Sequence, residues 1–128
     1  DKADQAIENS ALKTIVAFLN TEGGTLLIGV RDDGFVLGIE KDQFLNEDKF
    51  LLHFASLTND RIGKQYIEQI QSGLKEVKGK KILRVDCKPS SDPVFVKGNG
   101  EEFYVRSGPS SVQLSTSEVL EYSRKHFR

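Results

Sequence analysis

The chain has 128 residues, of which 38% are hydrophobic, 29% charged and 11 are glycine, a composition that describes one compact soluble domain able to build a core without disulfides or metal. One cysteine, Cys87, and two distant histidines, His53 and His126, exclude an internal disulfide and a zinc-type ligand cluster. No apolar run nears the ~18 residues of a membrane span, and DKADQAIENS lacks the features of a signal peptide, so a reducing, cytoplasmic setting is expected. The net charge of −1 hides a gradient: residues 1–60 carry 5 basic and 11 acidic side chains, residues 61–106 carry 10 basic and 6 acidic, so only the second part has the charge to face phosphate.

From Ala3 to Leu19, Ile7, Ala11, Ile15 and Phe18, flanked by Leu12, Val16 and Leu19, recur at helical spacing and predict an amphipathic helix of four to five turns. Asn20 ends it, and Gly23 and Gly24 supply the reversal. TLLIGV reads as a strand buried on both faces, and the DDG turn leads to a second strand, FVLGI. A second helix is expected from Asn46 to about Ile62, with Phe50, Leu51, Phe54 and Leu57 on one side and Asn46 or Asp48 as N-cap.

Residues 66–77 can be read as a helical stripe, but Gly73 and the KGKK turn that leads to ILRVDCKP favour a strand alternating Ile70, Ser72 and Leu74. There Leu83, Val85 and Cys87 point one way and Arg84, Asp86 and Lys88 the other, until Pro89 stops the strand. PVFVKGNGEEFYVRSG predicts two strands joined at Gly98, Asn99 and Gly100. The last element is a helix with Val119, Leu120, Ser123 and Phe127 as its stripe; Ser115 or Thr116 precedes it, and Ser115 with Glu118 has capping-box spacing. The expected fold is α+β (mixed α/β), a mostly antiparallel or mixed sheet with packed helices.

Candidate chemistry is sparse. Gly23, Gly24 and Gly29 follow a helix and precede a strand, the reverse of a phosphate-binding loop, and read as a cap and turn together with Asn20. Arg31, Asp32 and Asp33 sit at a strand end where carboxylates could hold a cation, but Asp-Asp-Gly is also a good turn; Glu8, Glu22 and Glu40 are available without any spacing that makes them converge. No nucleophile elbow is present, Cys87 alternates onto an apolar face as a core thiol, and His53 reads as a structural residue. Phe103, Tyr104 and Arg106 combine aromatic and basic character, either as a surface for stacking and phosphate contact or with Arg106 tying down a loop. Lys75, Lys78, Lys80, Lys81 and Lys88 either solubilise a strand pair or contact phosphate. No cofactor, membrane or small-molecule partner is indicated.

The segments AFLNTEGGTLLIGVRDDGFVLGI, GKKILRVDCKPSSDPVFV and EEFYVRSGPSSVQLSTSE, in this order over nearly the whole chain, resemble the Schlafen-type Alba-like domain. The resemblance implies a DNA-binding module, commonly N-terminal in a longer regulator or ATPase-like protein, so residues 1–128 are expected to be one such domain lacking the family's first strand. It also implies a homodimer, since Schlafen proteins pair two such copies. Some members cleave structured RNA with three carboxylates, of which only Asp32 has a counterpart here, following Gly29, Val30 and Arg31. The leading expectation is therefore a DNA- or RNA-binding module with Lys78, Lys80, Lys81, Lys97 and Arg106 as phosphate contacts. A dimerisation or protein-interaction domain and a truncated metal-dependent RNase are the alternatives.

Overall fold

The computed structural model describes residues 2–31, 33, 34, 36, 38 and 47–127. The first apolar stripe forms helix α1 (Lys2–Leu19), whose two halves differ. Gln5, Ala6, Ile7, Asn9 and Ser10 are exposed, whereas from Ala11 onward the helix is apolar nearly all round, and Leu12, Ile15, Val16, Ala17 and Leu19 have no exposed surface. A helix apolar on every side must be covered on every side. Two three-stranded antiparallel sheets do this, one ordered β1-β3-β2 and the other β4-β5-β6.

The first sheet comprises β1 (Gly24–Ile28), β2 (Ile70–Val77) and β3 (Lys80–Cys87). Leu83, Val85 and Cys87 face the core as their alternation predicts. Lys78 and Gly79, both at positive φ (52° and 76°), turn β2 tightly into β3. Helix α2 (Glu47–Arg61) inserts Phe54 into the same core, with Phe50, Leu51 and Leu57 partly buried around it. Asp48 lies within the first turn of α2 rather than capping it, and Asn46 falls outside the described residues. The expected second strand of the DDG hairpin also lies largely outside them; Val36 bridges Val30 and the Gly38 N–H reaches the Gly29 carbonyl.

One expectation for β1 is corrected. Thr25 and Leu27 are exposed, Leu27 at 42%, because β1 is an edge strand and no described helix packs on the outer face of its sheet. A continuous apolar run therefore does not mark a strand buried on both faces here.

The second sheet comprises β4 (Val96–Gly98), β5 (Gly100–Ser107) and β6 (Ser110–Leu114). Strand β6 was not anticipated, since SSVQL has little alternation. Helix α3 (Thr116–His126) begins at Ser115 with the anticipated capping box: the Ser115 side chain accepts from the Glu118 N–H, and the Glu118 carboxylate accepts from the Ser115 N–H at 2.9 Å. The stripe is shifted from expectation. Tyr122 and Phe127 turn inward with Val119 and Ser123, while Leu120 is 69% exposed. Phe103 of β5 meets the Tyr122 ring at 6.0 Å and the Phe95 ring at 5.2 Å.

Asn20 joins these parts. It is fully buried, its amide donates to the Val94 carbonyl (2.8 Å) and the Tyr104 carbonyl (3.0 Å), and its side-chain oxygen accepts from the Val94 N–H (2.9 Å). The Tyr122 hydroxyl donates to the Asn20 carbonyl. Three residues on, Gly23 sits at φ 79°, where an added Cβ would lie 2.6 Å from the Cys87 carbonyl oxygen, so the reversal into β1 requires glycine. Asn20→Ala strands three buried backbone groups at about 1–3 kcal/mol each, and urea unfolding is expected to show a loss of about 3 kcal/mol or more. A loss under about 1 kcal/mol would show that these bonds do not hold the sheets together.

Candidate nucleic-acid interface

Strand register sorts the charges of the first sheet. Leu27, Arg84 and Gly73 stand opposite one another across the three strands, as do Thr25, Asp86 and Gln71, and Lys75 stands opposite Ile82. Residues directly opposite share a face, so the outer face carries Lys75, Lys80, Arg84 and, following the alternation of β3, Lys88. All four are exposed, and among the described residues Asp86 is the carboxylate beside them. Gly73 forms the floor at the centre: a Cβ there would meet nothing within 4 Å. The face also presents Thr25, Leu27 and Gln71, with Ile82 buried within it, and no aromatic ring among the described residues.

Asp86 is held tightly. Arg84 Nε donates to both of its carboxylate oxygens at 3.2 and 3.1 Å, and Thr25 Oγ1 donates to Oδ1 at 2.7 Å. These bonds hold its pKa below the ordinary value, Arg84 contributing most, with Thr25 next and the nearby Lys75 charge adding to them. Arg84 is thereby oriented beside the glycine floor.

The anticipated phosphate-contact residues separate into two groups. Lys78, Lys80 and Lys81 lie together at the β2–β3 turn. Lys80 Nζ reaches the Val36 carbonyl at 3.4 Å. Lys81 points to the inner side, where Glu47 (3.4 Å) and Glu76 (3.5 Å) pair with it; their hydrogen bonds and charges, Glu47 first, raise its pKa. Lys97 and Arg106 belong to the second sheet. Lys97 pairs with Glu101 in register, so along β5 it is separated from Arg106 by five residues, roughly 17 Å.

Arg106 is engaged where it stands. Its guanidinium lies 5.0 Å over the Phe18 ring and donates to Ser111 Oγ at 2.8 Å, and its N–H donates to Thr21 Oγ1. This is the loop-tying arrangement considered for it. Phe103 and Tyr104 are both buried, so neither ring is available for a base to stack on. Burial and the adjacent Glu102 push the Tyr104 hydroxyl up to about 12.

Other candidates are distributed as structural residues. Cys87 is buried, and burial pushes its thiol up to about 12, far from a reactive thiolate. His53 pairs with Glu8 at 2.7 Å on the surface. Asp32 and Glu40 lie outside the described residues, Arg31 pairs with Asp33 at 2.7 Å, and no group of three potential metal ligands occurs among the described residues. A cleft of about 140 Å³ between α2 and β2 is lined by Phe54, Thr58, Ile67 and Ile70 among others and has no charged side chain. Among the described residues no helix is long and apolar enough to cross a membrane.

Sequence reasoning missed the coherence of the outer face. Arg84 and Lys88 were visible as the polar side of an alternating strand, and Lys75 as one of a run of lysines. Their grouping depends on the β2–β3 register, which the KGKK turn alone implies.

The fold and this face define a small α+β module with an exposed, basic sheet surface among the described residues. The profile of the Schlafen, AlbA_2 family matches residues 1–115, and the chain belongs to that family. Among solved structures, the DIP2311 protein from Corynebacterium diphtheriae resembles it with a TM-score of 0.67 at 21% identity over 94% of this chain. That match spans 22% of the DIP2311 chain, so this chain corresponds to about a fifth of its length. The N-terminal domain of a RecG-related protein from Nitrosomonas europaea, described by its name as an ATP-dependent DNA helicase, resembles it with a TM-score of 0.50 at 26% identity, over 84% of this chain and 76% of that one. Helix α3 lies beyond the residues that the family profile matches.

The Asp86 cluster makes a pH prediction. A carboxylate held below its unfolded value stabilises the fold above that value, and the contribution is lost as pH falls through the folded one. Carboxyl NMR titration is expected to place the Asp86 midpoint below 3.8 and to move it upward in Arg84→Ala. A midpoint unchanged by that substitution would remove Arg84 as its principal partner.

Proposed function

We propose that this domain binds nucleic acid through phosphate contacts on the outer face of its first sheet, as one module of a longer regulator or ATPase-like protein. The observation that carries the reading is the gathering of the exposed Lys75, Arg84 and Lys88 on one sheet face, with Lys80 at its margin and Asp86 as its carboxylate among the described residues. A chain of net charge −1 has no overall basic excess, so a segregated basic face is what remains to attract a polyanion. Lys78 at the adjoining turn extends the surface; Lys81, Lys97 and Arg106 contribute less, being paired, distant or engaged.

The chemistry favours backbone recognition. Single-strand platforms place aromatic rings where bases stack, and among the described residues this face presents none, whereas lysine and arginine around a glycine floor suit close approach of phosphates. Membership of the AlbA_2 family and the likeness to a domain of a DNA-helicase-named protein support the same reading. The reading includes a homodimer, in which two copies present two such faces.

Affinity for duplex DNA or hairpin RNA, followed by fluorescence anisotropy, is expected to fall linearly in log Kd against log salt. Lys75→Ala, Arg84→Ala and Lys88→Ala should each lower the slope by about one. Gly73→Lys adds a cation over open space and should tighten binding and raise the slope by about one. Salt-independent binding, or a Gly73→Lys protein that folds and binds no tighter, would contradict the assignment of this face.

A further inference from the structure

Strand β6 ends the second sheet, and among the described residues no strand pairs with its outer edge. An edge strand offers unpaired N–H and C=O groups, which proteins commonly protect with charge, proline or a covering segment. The other edges have such protection: β2 carries Lys75 and Glu76, β4 carries Lys97, and the chain beyond β1 is folded back by the Val30–Val36 bridge. The sequence of β6, Ser-Ser-Val-Gln-Leu, has no charge and no proline.

The direction of its free groups follows from the hairpin. Gly108 and Pro109 form a two-residue turn with Gly108 at φ 57°, which makes Ser107 and Ser110 the closing hydrogen-bonded pair. Val112 opposite Val105 and Leu114 opposite Phe103 then also direct their backbone groups at β5. Those of Ser111 and Gln113 point away from the sheet. At the centre, Val112 is 41% exposed on the face that carries Phe103.

We propose that β6 is the contact surface for a second copy of this chain, the two strands pairing antiparallel about a two-fold axis through Val112. The inference rests on the homodimer included in the reading above and names its surface. With Val112 opposite Val112, Ser111 of each copy faces Gln113 of the other, and their outward N–H and C=O groups make four hydrogen bonds. The two valines meet as a non-hydrogen-bonded pair, where side chains are closest. The result is one continuous six-stranded antiparallel sheet. An edge without charge tolerates a copy of itself, whereas two copies of β4 in the same arrangement would bring lysines together. Helix α1 packs chiefly on β5 and touches β6 through Thr14 and Ser111, and α3 follows directly from β6, so both helices lie on the faces of β6 and leave its outer edge to the second copy.

Sedimentation velocity of the whole chain without nucleic acid, from about 10 μM to about 1 mM, tests this, with amide hydrogen exchange at the same concentrations. The expected result is a concentration-dependent dimer in which the Ser111 and Gln113 amides gain protection. Val112→Lys, which sets like charges opposite each other, and Gln113→Pro, which removes an outward N–H, should each weaken it at least about tenfold. Circular dichroism is expected to show both variants folded, and Leu52→Lys, at a 67% exposed site on α2, should dimerise as before. A monomer throughout would overturn the homodimer and its surface together. A dimer unaffected by both β6 variants would overturn the surface and leave the homodimer standing. Neither outcome bears on binding by the basic face, which the salt series reads separately.

Discussion

The Asn20 carboxamide is the point on which the arrangement of both sheets depends. A helix buried on all sides has to leave the core somewhere, and its last carbonyls and the strands around it have to be satisfied without water. Asn20 does this by exchanging hydrogen bonds with Val94 and bonding Tyr104, so the end of α1 is fixed to the second sheet at the residue before the chain turns into the first. Gly23 then passes close to the Cys87 carbonyl and delivers β1 to its place beside β3. The position of the basic face relative to the core follows from that turn.

The two sheets differ in how they are covered, and the difference separates structural from available charge. The second sheet has α1 against Tyr104 and Arg106 on one side and α3 against Phe103 on the other, so Arg106 is drawn into contacts with Phe18, Ser111 and Thr21. The outer face of the first sheet is covered at Ile82, which is buried, and at Lys80, where Gly38 comes close, and is exposed at Thr25, Leu27, Gln71, Lys75 and Arg84. On the inner side Lys81 pairs with Glu47 and Glu76, while on the outer face Arg84 pairs with Asp86 and Lys80 reaches the Val36 carbonyl. Asp86 lowers the total charge of the face but fixes Arg84 in place, which restricts where a phosphate can sit.

Much of this was legible in the sequence because local physics and tertiary structure agree. The apolar stripe of α1, the Leu83–Val85–Cys87 alternation, the Gly98–Gly100 hairpin and the Ser115–Glu118 capping box each appear where residue spacing places them. The failures occur where the decisive partner is distant in sequence. Asn20 reads as a helix terminator, and nothing local says that its amide will meet Val94 and Tyr104, 74 and 84 residues on. TLLIGV reads as doubly buried because an apolar run carries no information about which faces the fold leaves open. SSVQL lacks alternation because one of its faces meets α1 through Ser111 and Thr14 while its edge meets nothing described. For the basic face the residues were visible singly, but a one-residue change of register would have dispersed them.

The claim that the outer face of the first sheet is the nucleic-acid surface is tested most directly by mapping backbone amide chemical shifts during a low-salt titration with duplex DNA and hairpin RNA. The largest changes are expected at Thr25, Leu27, Gln71–Lys75 and Arg84–Lys88, with the amides of β5 and α3 nearly unmoved. Changes concentrated around Lys97 and Arg106, or none with either nucleic acid, would contradict it.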